Sequence, residues 1–160
     1  MSAKGIGSSM TILSFEHLYF YYADFGSHSH LSHGVERSRD DSFAKVFGYA
    51  DLTDVSVARL ARQIRDALEG NLQVHHRSWE KQRQALRWFL NQDLEVLYAT
   101  SFDIRLRPNG QLALCDGGHR ALALSIRGEG GLDLVRVRLG KDSIQRAQLK
   151  AFAMNLQSPE

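Results

Sequence analysis

Apolar residues recur every three or four positions along residues 53–70, which is the spacing of one face of an α-helix. The residues on this face are Val57, Leu60, Ala61, Ile64 and Leu68. Thr53 or Asp54 has a side chain suited to capping the N-terminus, and Gly70 follows the last apolar position, where helices commonly end. The pattern therefore predicts a helix over residues 53–70.

A second helix is predicted over about residues 78–91. One face of it carries Trp79, Arg83, Leu86 and Leu90. Trp88 and Phe89 add aromatic bulk to the same segment. Aromatic side chains at helical spacing belong more often to a core than to a surface that stacks on nucleic-acid bases. The core interpretation is therefore favoured for Trp79, Trp88 and Phe89.

The second half of the chain alternates between strand-like and helix-like patterns. Strands are predicted over residues 93–100, 102–108, 111–117 and 133–140, which read DLEVLYAT, FDIRLRP, QLALCDG and DLVRVRLG. The pair Asn109-Gly110 is a strong signal for a hairpin turn. A short helix is predicted to begin at about Gly118 and to be closed by Gly128. A last helix is predicted over about residues 142–155.

The N-terminal quarter divides into an aromatic segment and a polar one. Residues 11–26 hold six aromatic side chains without helical spacing, which favours a strand or an irregular packed segment. Residues 27–42 have almost no apolar side chains and predict a mobile surface loop. We predict one domain over residues 10–156, with flexible tails at 1–9 and 157–160. The order of elements predicts a compact α+β domain in which helices flank a small mixed sheet.

The composition indicates more about the cellular compartment of the protein than about its activity. Twenty Lys and Arg against eighteen Asp and Glu give a net charge of +2, which neither demands nor excludes a nucleic-acid partner. The single cysteine, Cys115, cannot form an internal disulfide. The chain shows neither a signal-like start nor an apolar run of membrane-spanning length. We therefore expect a cytoplasmic protein without a membrane partner.

Basic residues concentrate on the two helices predicted first. Seven of them lie between positions 59 and 87, against three acidic residues. They are Arg59, Arg62, Arg65, Arg77, Lys81, Arg83 and Arg87. Such a surface is a candidate contact for nucleic acid, although most runs of charge are only solvated helix faces.

The stretch LALCDGGHRALAL, residues 112–124, carries the most specific candidate site. A predicted strand ends in two glycines, which permit backbone angles closed to other residues, and a predicted helix follows. The N–H groups at the start of such a helix favour a phosphate, and His119 and Arg120 would add donors. Asp116 could cap the helix, orient His119 or hold a metal ion. A plain glycine turn with a solvated arginine fits the same residues.

Residues 112–140 resemble the core of the ParB and sulfiredoxin-like superfamily, in which a strand passes through a glycine-rich His-Arg turn into a helix. The resemblance implies that Gly117, Gly118, His119 and Arg120 bind nucleotide phosphates. It implies Asp116, His119 and Arg120 as catalytic residues, and ATP or another nucleoside triphosphate with Mg²⁺ on Asp116 as cofactors. Members of this superfamily include nucleoside triphosphatases, nucleases, small-molecule kinases and sulfinic-acid reductases.

At two positions the chain departs from the superfamily pattern, which reduces the number of activities that we expect. Sulfiredoxins have a reactive cysteine directly before the His-Arg pair, but this chain has Gly118 there, so we do not expect sulfinic-acid reduction. Only about twenty residues follow Gly140, so we expect no helix-turn-helix domain of the plasmid-partitioning type. The chain then resembles stand-alone modules found on plasmids and other mobile elements, including small inhibitors of DNA transfer.

Three functions follow from these observations. The leading hypothesis is a phosphoryl-transfer hydrolase that cleaves ATP or a related triphosphate and binds or cleaves DNA. The alternative is a non-catalytic inhibitor or adaptor that binds nucleic acid or a DNA-transfer or partition protein and uses the turn only for structure. A small-molecule kinase is the third.

Other polar residues are weaker candidates for chemistry. The histidines His28, His30 and His33 have a conceivable spacing for metal binding, but an incidental histidine loop is favoured. A phosphate contact or a surface linker fits His75 and His76. The acids nearest the turn in sequence, any of which could activate water or bind magnesium, are Glu80, Asp93, Glu95 and Asp103.

Overall fold

A computed structural model describes residues 9–21 and 43–157 and confirms the predicted α+β class. The helices are α1 (Phe43–Val46), α2 (Val57–Leu68), α3 (Trp79–Leu90), α4 (Leu94–Leu97), α5 (Gly118–Ile126) and α6 (Arg146–Lys150). The strands are β1 (Ser9–Ser14), β2 (Leu18–Phe20), β3 (Asp103–Leu106), β4 (Leu112–Asp116), β5 (Gly131–Asp133) and β6 (Met154–Gln157). The predicted loop at 27–42, with its three histidines, lies outside the described residues.

The strands form two three-stranded sheets where a single small sheet was expected. The first sheet is antiparallel with the order β5-β1-β6. The second has the order β2-β4-β3, with β2 parallel and β3 antiparallel to β4. The turn between β3 and β4 confirms the predicted hairpin, because Gly110 adopts φ of 90° and the Arg107 N–H donates to Gln111 O at 2.8 Å.

Helix α5 lies at the centre of the core. Both α2 and α3 pack on it, and its four central residues, from Ala121 to Leu124, are fully buried. A helix that is apolar all round in this way belongs inside a protein rather than at its surface. The core therefore places the N-terminal turn of α5, which follows β4 directly, between the second sheet and the packed helices. Within residues 9–21 and 43–157, no helix is long and apolar enough to cross a membrane.

Helix α2 confirms the predicted apolar face but not the predicted cap. The N-cap is Ser56, whose Oγ accepts the Arg59 N–H at 3.1 Å. Thr53 is used in a tighter turn that precedes the helix, where its N–H donates to Asp51 Oδ1 at 2.8 Å. The N-cap therefore lies two or three residues later than the predicted Thr53 or Asp54, and Thr53 is instead bonded to Asp51.

Two predicted strands are wrong. Residues 93–100 form α4 and a turn, because Asp93 O accepts the N–H groups of Val96 and Leu97. The strand predicted over 133–140 stops at Asp133, whose carbonyl accepts the N–H groups of Arg136 and Val137 and starts a turn. Apolar alternation over so few residues fits a helical turn as well as a strand. Here the local hydrogen bonds to the carbonyls of Asp93 and Asp133 form turns instead.

The last predicted helix is also too long. Helix α6 covers Arg146–Lys150, and the chain then extends into β6, which pairs antiparallel with β1 from Ser9 to Ile12. Residues 154 and 155 were predicted as the end of this helix, because Ala151 and Met154 continue its apolar side. Pairing with a distant strand overrides that weak local preference.

Candidate functional site

The predicted strand, turn and helix around the two glycines are all present. Strand β4 ends at Asp116, Gly117 adopts φ of 104° and ψ of 14°, and α5 begins at Gly118. The Asp116 side chain is exposed, His119 is partly buried, and Gly117, Gly118 and Arg120 are buried. The four predicted phosphate ligands and Asp116 therefore do not share one open surface.

Gly117 is enclosed by its own protein. A Cβ atom at this position would lie 2.5 Å from Phe102 Cδ1 and 3.0 Å from Arg120 Nη2. Its positive φ also belongs to the region that side chains rarely adopt. Packing against Phe102 and Arg120 thus accounts for the glycine without a bound ligand.

The Arg120 guanidinium donates hydrogen bonds to backbone carbonyls. Its Nη1 donates to Leu97 O at 3.2 Å and to Thr100 O, and its Nη2 donates to Ser101 O at 2.8 Å. The guanidinium carbon also lies 4.1 Å from the centroid of the Phe102 ring, which is a cation–π contact. Burial lowers the pKa of Arg120, against the opposing effect of Asp116, yet an arginine stays charged at neutral pH. Its Nη1 and Nη2 donors bind the end of α4 and the segment after it, which favours a structural role over a phosphate contact.

His119 is part of an aromatic cluster. Its ring lies 5.5 Å from Phe89 at an interplanar angle of 14°, and 5.9 Å from Phe43 at 55°. Further ring contacts extend from Phe43 through Phe47 to Trp79, and from Phe89 to Trp88. The imidazole therefore connects α5 to α1 and α3 by packing, in the manner of a core aromatic residue.

Asp116 is the most accessible of the predicted catalytic side chains. It lies opposite Asp103 in the pairing of β3 with β4, next to a register shift. Asp103 is held by Arg105 Nη2 at 3.1 Å and by Ser143 Oγ at 3.1 Å. Among the described residues, no three His, Cys, Asp or Glu side chains gather in a metal-binding group. A Mg²⁺ ion on Asp116 stays a prediction.

The other predicted acids lie on α3, on α4 or directly before α4. Glu80 pairs with Arg83 on α3, and hydrogen bonds from Arg83, against the opposing effect of burial, hold the pKa of the Glu80 carboxyl below its usual range. Asp93 precedes α4 and Glu95 lies on it, both exposed. His76 Nδ1 accepts the Ser78 N–H at 3.1 Å just before α3, which makes it part of the linker rather than of the turn. His75, next to it, is exposed on the same linker.

Cys115 is a small buried hydrophobic residue. Its side chain is buried in β4, and burial raises the pKa of the thiol to about 12. A thiol with so high a pKa is almost entirely protonated at neutral pH and is a poor nucleophile. The cysteine therefore contributes packing to the strand that leads to the turn.

The seven predicted nucleic-acid contacts divide between α2 and the neighbourhood of α3. On α2, Arg59 stacks over Tyr49, Arg62 pairs with Glu16 at 2.7 Å, and Arg65 donates to Ile126 O at 3.5 Å. Arg62 and Arg65 also line a surface groove of about 260 Å³ together with Glu16 and Glu129. Because two acids line this groove beside two arginines, the groove has no clear preference for an anion.

The basic residues near α3 are Arg77, Lys81, Arg83 and Arg87. Arg83 is paired with Glu80 on the helix itself. Arg77, Lys81 and Arg87 have exposed side chains. Trp88 is also exposed, by 56%, so its predicted core position is wrong. Trp79 and Phe89 do pack against the core as predicted. Helix α3 thus presents an exposed tryptophan on the same helix as exposed cations. The spacing of apolar residues in the sequence did not predict this combination.

A second basic segment was not among the contacts predicted from the sequence. Residues 134–150 contain five basic residues and one acid, Asp142. A charge count in a sliding window would have found them. The exposed valine in this segment, Val135, carries no such signal, because its neighbours fit a buried strand.

No protein-family model, curated protein or solved structure matches this chain. The resemblance of residues 112–140 to the ParB and sulfiredoxin-like superfamily therefore stays a prediction.

Proposed function

We propose that the protein binds single-stranded nucleic acid on the outward face of α3. The observation that carries this proposal is the exposed indole of Trp88 on a helix with exposed basic side chains. A buried tryptophan on a basic helix would only stabilise the fold. An exposed one provides a flat surface on which any base can stack.

The positions on α3 place Trp88 opposite the buried side of the helix. Leu86 faces the core, and Trp88 is two residues further, which turns it by about 160° around the axis. Lys81 lies two turns before Trp88, roughly 10 Å along the axis and within about 20° of it. A base stacked on the indole would therefore have a cation within reach of a nearby phosphate.

The chemistry of this face favours a single strand over a duplex. Exposed cations attract phosphates of either form without regard to sequence. The bases of a duplex are stacked on each other, so their faces are closed to Trp88, whereas an unpaired base is open. This function corresponds to the non-catalytic alternative, with the turn at residues 116–120 holding the fold together.

Trp88→Ala is expected to weaken binding of a fluorescein-labelled single-stranded oligonucleotide by about tenfold. Loss of one base stack costs roughly 1–3 kcal/mol, which corresponds to a factor of about five to 150. Fluorescence anisotropy at fixed salt measures the change. Lys81→Ala is expected to weaken binding and to reduce the slope of log K against log salt by about one.

The matched control is Phe152→Ala, which removes an aromatic side chain that is 41% exposed but follows α6 instead of lying on α3. This variant should bind like the wild type, and Trp88→Phe should keep much of the affinity. Equal losses in Phe152→Ala and Trp88→Ala, or equal affinity of the wild type for duplex and single strand, would contradict the proposal.

Hydrolysis of ATP or another nucleoside triphosphate is the second candidate function. The favouring observation is that the exposed carboxylate of Asp116 ends β4 directly before the first turn of α5. A phosphate bound there would depend on backbone N–H groups and on Mg²⁺ at Asp116, since Arg120 donates to carbonyls. DNA cleavage would need the same centre.

This candidate predicts phosphate release from ATP with Mg²⁺ that Asp116→Asn lowers at least about tenfold. A malachite green assay measures the release, and Asp142→Asn, another exposed acid, is the control. Equal rates in the wild type and Asp116→Asn would overturn the catalytic assignment and leave the binding function on α3 untouched.

A further inference from the structure

Residues 134–136, directly after β5, form a turn that presents an apolar side chain to solvent. Val135 is 85% exposed, more than any other large hydrophobic residue among those described. Its two neighbours in this turn differ from it, since Leu134 is buried and Arg136 is an exposed cation. An aliphatic side chain so fully exposed gains nothing for the fold.

Asp133 fixes the backbone of this turn. Its carboxylate Oδ1 accepts the Val135 N–H at 3.1 Å, and its carbonyl accepts the N–H groups of Arg136 at 2.9 Å and Val137 at 3.1 Å. The Asp133 N–H in turn donates to Tyr98 Oη at 3.0 Å. The base of the turn is thus tied to the segment that follows α4.

A second set of contacts closes the turn from the side of α6. Arg146 Nη1 donates to Leu134 O at 2.8 Å, and Arg146 Nη2 donates to Val137 O. Arg136 lies over the Tyr98 ring at 6.0 Å and pairs with Asp133 at 3.7 Å. A turn with so many internal bonds loses little conformational entropy when a partner binds it.

The charge around Val135 indicates the chemistry of that partner. Exposed basic residues follow the valine in the chain, namely Arg136, Arg138, Lys141 and Lys150. The acids of the segment are Asp133, which pairs with Arg136 at 3.7 Å, and Asp142, which lies 3.8 Å from Arg105, so the excess of positive charge comes from Arg138, Lys141 and Lys150. An anionic partner is therefore favoured, and a branched aliphatic tip has no π-face on which a nucleic-acid base could stack.

We propose that this turn docks an acidic protein segment that carries an apolar side chain, with Val135 as the apolar contact and Arg136 and Arg138 as the cations that follow it in the chain. Opposite charge would guide the encounter, and burial of Val135 against the partner would hold it. This surface lies in the turn and the segment directly after β5 and is independent of the nucleic-acid face of α3.

Selection from a phage-displayed library of random peptides on the intact protein tests the proposal. The expected peptides are enriched in Asp and Glu around a leucine or phenylalanine. A synthetic peptide of that consensus should bind Val135→Asp at least about tenfold more weakly than the wild type, since the variant loses the apolar contact and adds a like charge. Val135→Ile should bind like the wild type, and so should Trp88→Ala.

The matched control is Leu72→Asp, which places the same charge at another exposed apolar position. Val135→Asp should keep the thermal midpoint of the wild type because its side chain is exposed. Peptides without acidic enrichment, or equal weakening by Leu72→Asp and Val135→Asp, would overturn the proposal. So would Val135-dependent binding to phosphatidylserine vesicles or to a single-stranded oligonucleotide in place of the peptide.

Discussion

Arg120→Ala is expected to lower the free energy of unfolding by about 3–5 kcal/mol. The substitution removes a charged donor from three carbonyl oxygens and a cation from the Phe102 ring. Hydrogen bonds to charged groups contribute roughly 1.5–3 kcal/mol each, and their effects within one cluster are not additive. The carbonyls of Thr100 and Ser101 would also lose a partner in a partly buried place. Urea unfolding followed by far-ultraviolet circular dichroism measures the change.

Arg127→Ala is the control for this experiment. Arg127 is exposed, and its Nη1 donates to one carbonyl, that of Gln92. Its loss should cost no more than about 1 kcal/mol. If Arg120→Ala were as stable as Arg127→Ala, the guanidinium would not be needed by the fold. Its predicted role as a phosphate ligand would then regain support.

Gly117→Ala is expected to destabilise the protein by roughly 2–5 kcal/mol. The backbone strain of a side chain at φ of 104° contributes about 1–3 kcal/mol. The new methyl group would also lie 2.5 Å from Phe102 Cδ1, a clash that requires the buried ring to move. The same urea experiment measures the loss, with the midpoint and the slope reported separately.

Gly110→Ala separates the two causes. Gly110 has a similar φ of 90°, but a Cβ there meets no atom within 4 Å. This variant should therefore show the backbone cost alone, and the difference between the two variants is the packing cost. Equal destabilisation by both would mean that Phe102 yields freely and that the space beside Gly117 can open.

Local signals predicted those elements whose hydrogen bonds are local. The apolar face of α2, the Asn109-Gly110 hairpin and the start of α5 at Gly118 each depend on residues within a few positions. The division into two sheets could not be predicted in this way. It depends on β1 pairing with strands more than a hundred residues away, and the sequence alone carries no measure of that pairing.

The candidate site shows the same limit more sharply. The turn was predicted correctly from a strand pattern followed by two glycines, a histidine and an arginine. These residues fit a phosphate-binding turn and a buried structural contact equally well. The distinction depends on where the Leu97, Thr100 and Ser101 carbonyls lie, and α4 was itself predicted as a strand. Trp88 presents the converse case, because only the packing of α3 on α5 shows which aromatic side chains remain outside.

Strand β1 is the middle strand of its sheet, and both of its neighbours, β5 and β6, come from the last thirty residues of the chain. During synthesis, β1 leaves the ribosome long before either neighbour exists. Its apolar residues Ile12 and Leu13 then lack the strands that pair with β1 in the folded protein. Such long-range pairing slows folding, so we expect the sheet of β5, β1 and β6 to form late.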